Sequence, residues 1–115
     1  MIIRIKNLRL RTIVGVNDWE RAVQQEVILN ISMDCDIDAA AKSDDLADTV
    51  DYKTLKLRIM RAVETANFLL LERLARHVLD IIRSEPRVRR ATVEIDKPSA
   101  LRFADSVSVE DSFER

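Results

Sequence analysis

From Val27 to Asp38 the apolar and polar residues alternate. Val27, Leu29, Ile31, Met33, Cys35 and Ile37 share one side, and Asn30, Ser32, Asp34, Asp36 and Asp38 the other. Side chains of an extended strand point to opposite faces with a period of two, so this segment reads as one long, half-buried β-strand. Residues 2 to 14 are also strand-like. Their alternation slips near Lys6-Asn7, because Ile3 and Ile5 are odd and Leu8 and Leu10 even, which fits a bulge. Gly15 to Gln25 then forms the connection of a first hairpin.

After this the period changes. Ala39 to Asp51 is polar and Asp-rich and reads as a crossing loop with room for one helical turn. From Tyr52 the spacing is helical, with Leu55, Ile59, Ala62 and Val63 on one face and Lys56, Arg58 and Arg61 elsewhere. Beyond a break at Thr65 to Asn67 comes a stronger stripe: Leu71, Leu74, Ala75, Val78, Leu79 and Ile82. Asn67 is the expected cap near its start, and Ser84-Glu85-Pro86 stops it. Alternation returns in Ala91, Val93 and Ile95 up to Lys97, with Pro98 ending the strand. Val107, Val109 and Phe113 mark a last one.

The order β-β-α-α-β-β predicts an α+β fold, a four-stranded, mainly antiparallel sheet with two helices on one face. Its 115 residues make one domain, residues 1–115. Two long edge strands need pairing or protection. A homo-oligomer with sheets joined side by side is therefore expected, with a closed barrel as one outcome.

Composition removes most chemistries. One Cys (Cys35), one His (His77) and one Gly (Gly15) exclude an internal disulfide, a Cys/His zinc site and a Gly-rich phosphate loop. His77 lies on an amphipathic helix with no nucleophile motif nearby, which leaves a Ser-His-Asp arrangement without support. Nineteen basic against twenty acidic residues give no global field for nucleic acid. No apolar run approaches the roughly 20 residues of a membrane helix. The amino terminus lacks a signal-peptide core, and a cytoplasmic protein is expected. An enzyme of this composition works with carboxylates, lysines, tyrosine and backbone.

Among those groups Lys97 shares the pleat face of Ala91, Val93 and Ile95. It is either an acid/base catalyst losing solvation at the end of an apolar stripe or a lysine snorkelling from a strand end. Glu72 falls in or near the first turn of the second helix, where an anion is favoured. There it could accept paired hydrogen bonds from an amidine-like heterocycle edge, or simply pair with Arg76 four residues on. Tyr52, the single tyrosine, stands at the loop–helix junction, as pocket lining or as packing. Glu20 lies in the hairpin connection, and alone it says almost nothing.

Taken together, Gly15-Val-Asn-Asp-Trp-Glu20, Ser43-Asp-Asp-Leu-Ala-Asp-Thr-Val-Asp-Tyr52, Leu70-Leu-Glu72 and Asp96-Lys-Pro98 resemble the dihydroneopterin aldolase family in order and spacing over essentially the whole chain. The resemblance implies the T-fold (tunnelling fold), tetrameric rings, often stacked in pairs as octamers, and pterin sites between subunits. It implies no cofactor and no metal. On this pattern Glu72 would anchor the pterin, helped by backbone at Leu71, Val50 and Asp51. Tyr52 would come from a neighbouring subunit, Lys97 would be the general acid/base, and Glu20 would organise substrate and water. Within the family, Ile2 to Thr12, Val93 to Lys97 and Ala100 to Ser108 are similar to the dihydroneopterin triphosphate 2'-epimerase subgroup, whereas Asp18-Trp-Glu20 and Ser43 to Asp48 look more like an aldolase. Arg102, five residues beyond Lys97, becomes a candidate triphosphate contact, with a plain surface arginine as the alternative. A pterin- or purine-binding oligomer without catalysis is the remaining expectation.

Overall fold

The computed structural model describes residues 1–115. Strands β1 (Ile2–Thr12), β2 (Gln25–Cys35), β3 (Val88–Lys97) and β4 (Val107–Glu114) form one antiparallel sheet in the order β1-β2-β3-β4. The bulge lies where the alternation slips, between Ile5 and Leu8. Asn7 takes a φ of 53° there, and its N–H donates to Asn30 Oδ1 at 2.9 Å. Asparagine tolerates this left-handed conformation better than most residues, so the bulge falls on it.

Strand β2 ends at Cys35, short of the alternation. Asp36 still donates its N–H to Arg87 O (2.8 Å), and Ile37 stays buried, but Asp38 already opens the short helix α1 (Asp38–Ser43). The crossing segment thus holds α1 and a 3-10 turn at Leu46–Asp48, pinned by Arg87, which donates to Ala47 O and Thr49 O. Asp51 caps helix α2 (Tyr52–Glu64) by accepting from Thr54 N at 3.1 Å.

Helix α3 (Leu71–Arg83) buries the whole predicted stripe. Its start differs from the expectation. Asn67 does not cap it; Leu70 occupies the cap position and no side chain caps the helix. Arg73 N–H donates to Leu70 O at 3.2 Å, and the N–H groups of Leu71 and Glu72 are left open to a ligand or solvent.

All buried apolar side chains form one cluster between α2, α3 and the inner face of the sheet. The outer face is polar, with Asn30, Ser32, Thr92 and Glu94 in its centre. Alternation in β2 and β3 produces this division: each apolar side chain taken from water contributes about 1.5–3 kcal/mol, and only one face has helices to bury it. No helix is long and apolar enough to cross a membrane.

Candidate active site

Lys97 is the last residue of β3, on the face of the buried Ala91, Val93 and Ile95, and is only 8% exposed. An ammonium so placed needs a counter-charge, because an unpaired buried ion costs several kcal/mol. Glu20, 5% exposed, supplies it: its Oε2 lies 2.5 Å from Lys97 Nζ. The snorkelling alternative for Lys97 is thereby excluded.

The connection between β1 and β2 delivers Glu20 through a 3-10 turn at Asp18–Arg21. The carboxylate is fully engaged. Oε1 accepts from Asn17 N (3.2 Å) and Asn17 Nδ2 (2.9 Å), and Oε2 also accepts from Gln25 Nε2 (2.9 Å). Gln25 in turn donates to Val14 O at 3.0 Å, which fixes its amide. The hydrogen bond from Lys97, then that from Gln25, outweigh burial and hold the Glu20 carboxyl at about 2, below its ordinary 4.5.

Gly15 explains itself here. It has a φ of 135°, and a Cβ at this position would collide with the Glu20 carboxyl group. The single glycine of the chain is the floor on which that carboxylate lies.

Arg21 joins this loop to the one leading into α3. It donates to Gly15 O and Phe68 O, both at 2.9 Å, and to Asn67 O. Asn67 thus spends its carbonyl on Arg21 rather than its side chain on α3. The sequence reading missed Asn17, Gln25 and Arg21. Only Asn17 left a trace, since Asn three residues before Glu is the spacing of a capping box.

Glu72 sits in the first turn of α3, exposed, beside a cleft of about 220 Å³ formed with Ala75, Arg76, Val109, Glu110 and Asp111. The alternative pairing with Arg76 does not form, because Arg76 Nε reaches Asp111 Oδ2 at 2.5 Å instead. The Glu72 carboxylate remains free beside open helix N–H groups. Leu71, next to it, is buried. Val109 of this cleft pairs with Ile95, two residues before Lys97, so Glu72 and Lys97 share one side of the sheet.

Tyr52 does not meet them. It lines a separate cleft with Arg4, Ile5, Lys53 and Lys56 at the start of α2. The far end of α2 reaches Thr12, whose Oγ1 donates to Ala66 O at 3.3 Å. The 13 residues of α2 therefore put roughly 20 Å between Tyr52 and the Glu20 end of the sheet. Val50 is buried and Asp51 exposed just before Tyr52, so they also lie away from Lys97. Arg102 stands exposed on the β3–β4 loop, its guanidinium 5.6 Å from the Phe103 ring centre.

A family model described as dihydroneopterin aldolase matches residues 3–111. The chain belongs to the dihydroneopterin aldolase family. Within that family it is 46% identical to the dihydroneopterin triphosphate 2'-epimerase of Escherichia coli K12, over 99% of this chain and 95% of that protein. It is 34% identical to the dihydroneopterin aldolase of the same organism, over 94% of this chain and 88% of that protein. The crystal structure of E. coli dihydroneopterin aldolase in complex with neopterin superimposes with a TM-score of 0.92 at 33% identity, covering 98% of each chain. The T-fold expected from the resemblance is therefore the fold of this chain, and the sheet-and-helix order was read correctly.

Proposed function

We propose that this member of the family is a dihydroneopterin triphosphate 2'-epimerase, converting 7,8-dihydroneopterin triphosphate to dihydromonapterin triphosphate. The observation that carries the chemistry is the buried Lys97–Glu20 pair. The higher identity to an epimerase, 46% against 34% for an aldolase, favours epimerisation over cleavage.

Glu72, uncapped at the start of α3, accepts the pterin's amino and ring N–H groups, with Leu71 backbone beside it. Lys97 moves protons at the reacting end, and Glu20, fixed by Asn17 and Gln25, holds Lys97 and water in place. A proton leaves the 2'-hydroxyl, the C1'–C2' bond breaks, and its electron pair enters the pterin imine, whose nitrogen takes a proton. Re-addition of the retained aldehyde through its other face reverses each step and gives the epimer. Escape of the aldehyde instead gives the aldolase outcome. For unphosphorylated dihydroneopterin, the products are 6-hydroxymethyl-7,8-dihydropterin and glycolaldehyde. The aldolase is the second reading, favoured by the Asp18-Trp-Glu20 and Ser43 to Asp48 segments. A binding oligomer without catalysis is the third, and a lysine buried against a carboxylate at the site argues against it.

The site is completed in an oligomer. Ile5, Ile31, Val93 and Asp111 form one transverse row across the sheet. The Tyr52 cleft lies at the β1 end of that row and the Glu72 cleft at the β4 end. Pairing the β4 edge of one copy with the β1 edge of the next brings the two clefts together, with Tyr52, Val50 and Asp51 supplied by the neighbour. The same pairing, repeated, closes a ring as tetramer or octamer. Arg102 reaches from the Lys97 side towards the triphosphate. A single, buried, unpaired Cys35 suits a reducing cytoplasm.

The test is to incubate the protein separately with dihydroneopterin and its triphosphate, then resolve the pterins and measure the released aldehyde. Monapterin-type product from the triphosphate is expected, and dominant cleavage of the unphosphorylated compound would transfer the reading to the aldolase. Lys97→Ala should abolish turnover while retaining pterin binding. Glu72→Ala should weaken pterin binding by several kcal/mol. Full activity in the first or unchanged affinity in the second would remove the assigned role.

A further inference from the structure

The connection that carries Glu20 and the segment that leads into α3 meet at Phe68. The Phe68 carbonyl accepts from Gly15 N at 3.3 Å and from one guanidinium nitrogen of Arg21 at 2.9 Å. The same nitrogen donates to Gly15 O at 2.9 Å, and the second terminal nitrogen donates to Asn67 O. The Phe68 ring, in turn, lies against α3. Its centre is 5.3 Å from that of the His77 ring and 4.7 Å from the Arg73 guanidinium carbon. No side chain caps α3, so its first turn lacks a local anchor, and these ties from the β1–β2 connection stand in for one. Gly15 is the floor beneath the Glu20 carboxylate, and Glu72 lies in the first turn of α3. One half-buried guanidinium therefore spans the two parts of the site.

We propose that Arg21 is a positioning residue, which fixes the first turn of α3, and Glu72 with it, relative to the Lys97–Glu20 pair. The inference rests on the function proposed above, in which Glu72 holds the pterin ring and Lys97 moves protons on its side chain. Arg21 acts through backbone alone, at Gly15 on one side and at Asn67 and Phe68 on the other. One element holds the ring and another serves the reacting bond, so turnover depends on the register between the two. A misplacement of about 1 Å between reacting groups costs on the order of 100-fold in rate. The hydrogen bonds of the ring to Glu72 travel with α3 and are kept. Loss of Arg21 therefore falls on turnover rather than on binding of the ring. Lysine does not replace it, because an ammonium lacks the planar fork that reaches carbonyls of two segments at once.

The experiment compares wild type with Arg21→Ala, Arg21→Lys and Arg115→Ala, after circular dichroism and light scattering have shown unchanged fold and mass. Two quantities are read: kcat with each pterin substrate, and the calorimetric Kd for 6-methylpterin, which has the ring without the reacting side chain. Arg115→Ala is the structural control, since that side chain donates to the carbonyls of Arg83, Glu85 and Val88 at the opposite end of β3 from Lys97. In Arg21→Ala, kcat should fall by about tenfold or more with both substrates, while Kd for 6-methylpterin stays within about threefold of wild type. Arg21→Lys should show the same loss, and Arg115→Ala should keep the wild-type kcat. Wild-type kcat in Arg21→Ala, with or without a lowered unfolding temperature, would overturn the proposal. So would a Kd that rises as much as kcat falls, recovery of kcat by lysine, or an equal loss in Arg115→Ala. If Arg21→Ala changes mass, Arg21→Gln is read against the same two quantities and the same criteria. Turnover of neither pterin by wild type sinks the functional reading and this inference together, whereas turnover that Arg21→Ala retains sinks this inference alone.

Discussion

At the scale of single residues, the site is an exercise in keeping one lysine buried and charged. Lys97 gains its place from strand alternation, and Glu20 makes that place tolerable. Glu20 itself depends on Gly15, whose missing side chain leaves room for the carboxylate. Gly15→Ala should therefore act on both stability and turnover. The φ of 135° is strained for alanine, at a cost of about 1–3 kcal/mol, and the new methyl displaces Glu20 from Lys97. Thermal unfolding and steady-state kinetics should both show the loss, with kcat falling more than KM rises. Wild-type kinetics in this variant would mean that Glu20 need not lie where it does. The reading of residues in isolation could not have assigned Glu20, because a glutamate in a loop has no periodic neighbourhood to define it. Its partners come from Asn17, Gln25 and Lys97, up to 77 residues apart in sequence.

At the scale of elements, what could be read followed period and length. α2 and α3 were legible because a 3.6-residue stripe over 13 residues leaves few alternatives. α1 was legible only as room for one helical turn in the crossing loop, since none of its six residues is buried and they leave no stripe. The start of α3 was misplaced because Asn67 is a good cap by type, whereas the structure uses its carbonyl as an anchor for Arg21. The result matters for function: an uncapped α3 leaves the N–H groups of Leu71 and Glu72 free at its start. The load on α3 can be tested at Leu79, which is fully buried. Leu79→Ala should lower unfolding stability by about 2–5 kcal/mol, through lost apolar burial and the cavity left behind. Exposed Asp80→Ala should change it by only about 0.5 kcal/mol or less. Chemical denaturation of the two variants checks both, and similar effects would contradict the packing described.

At the scale of the whole molecule, the two sheet edges differ in charge. β1 carries Arg4, Lys6, Arg9 and Arg11 and no acid, while β4 carries Glu110, Asp111 and Glu114 and no base. An edge strand exposes unpaired backbone groups that will accept another strand. In the proposed oligomer, opposite charges favour pairing of β4 with a second copy's β1 over pairing with a second β4. Glu110→Lys combined with Glu114→Lys should reduce the assembled mass measured by light scattering at low salt, and turnover with it. An unchanged mass would show that the edges do not pair in this way.

The sequence by itself determined the order of elements, the buried face of each and the bulge, because periodicity is a local property set by backbone geometry. Its motifs also pointed to the family and to Glu20, Tyr52, Glu72 and Lys97 as a set. Only the tertiary structure decided how that set is divided. It brings Glu20 to Lys97 in one buried pair, leaves Glu72 free by giving Arg76 to Asp111, and keeps Tyr52 at the other end of α2. Those outcomes depend on which distant side chains share a space, and folding the sheet and helices together is what settles that competition.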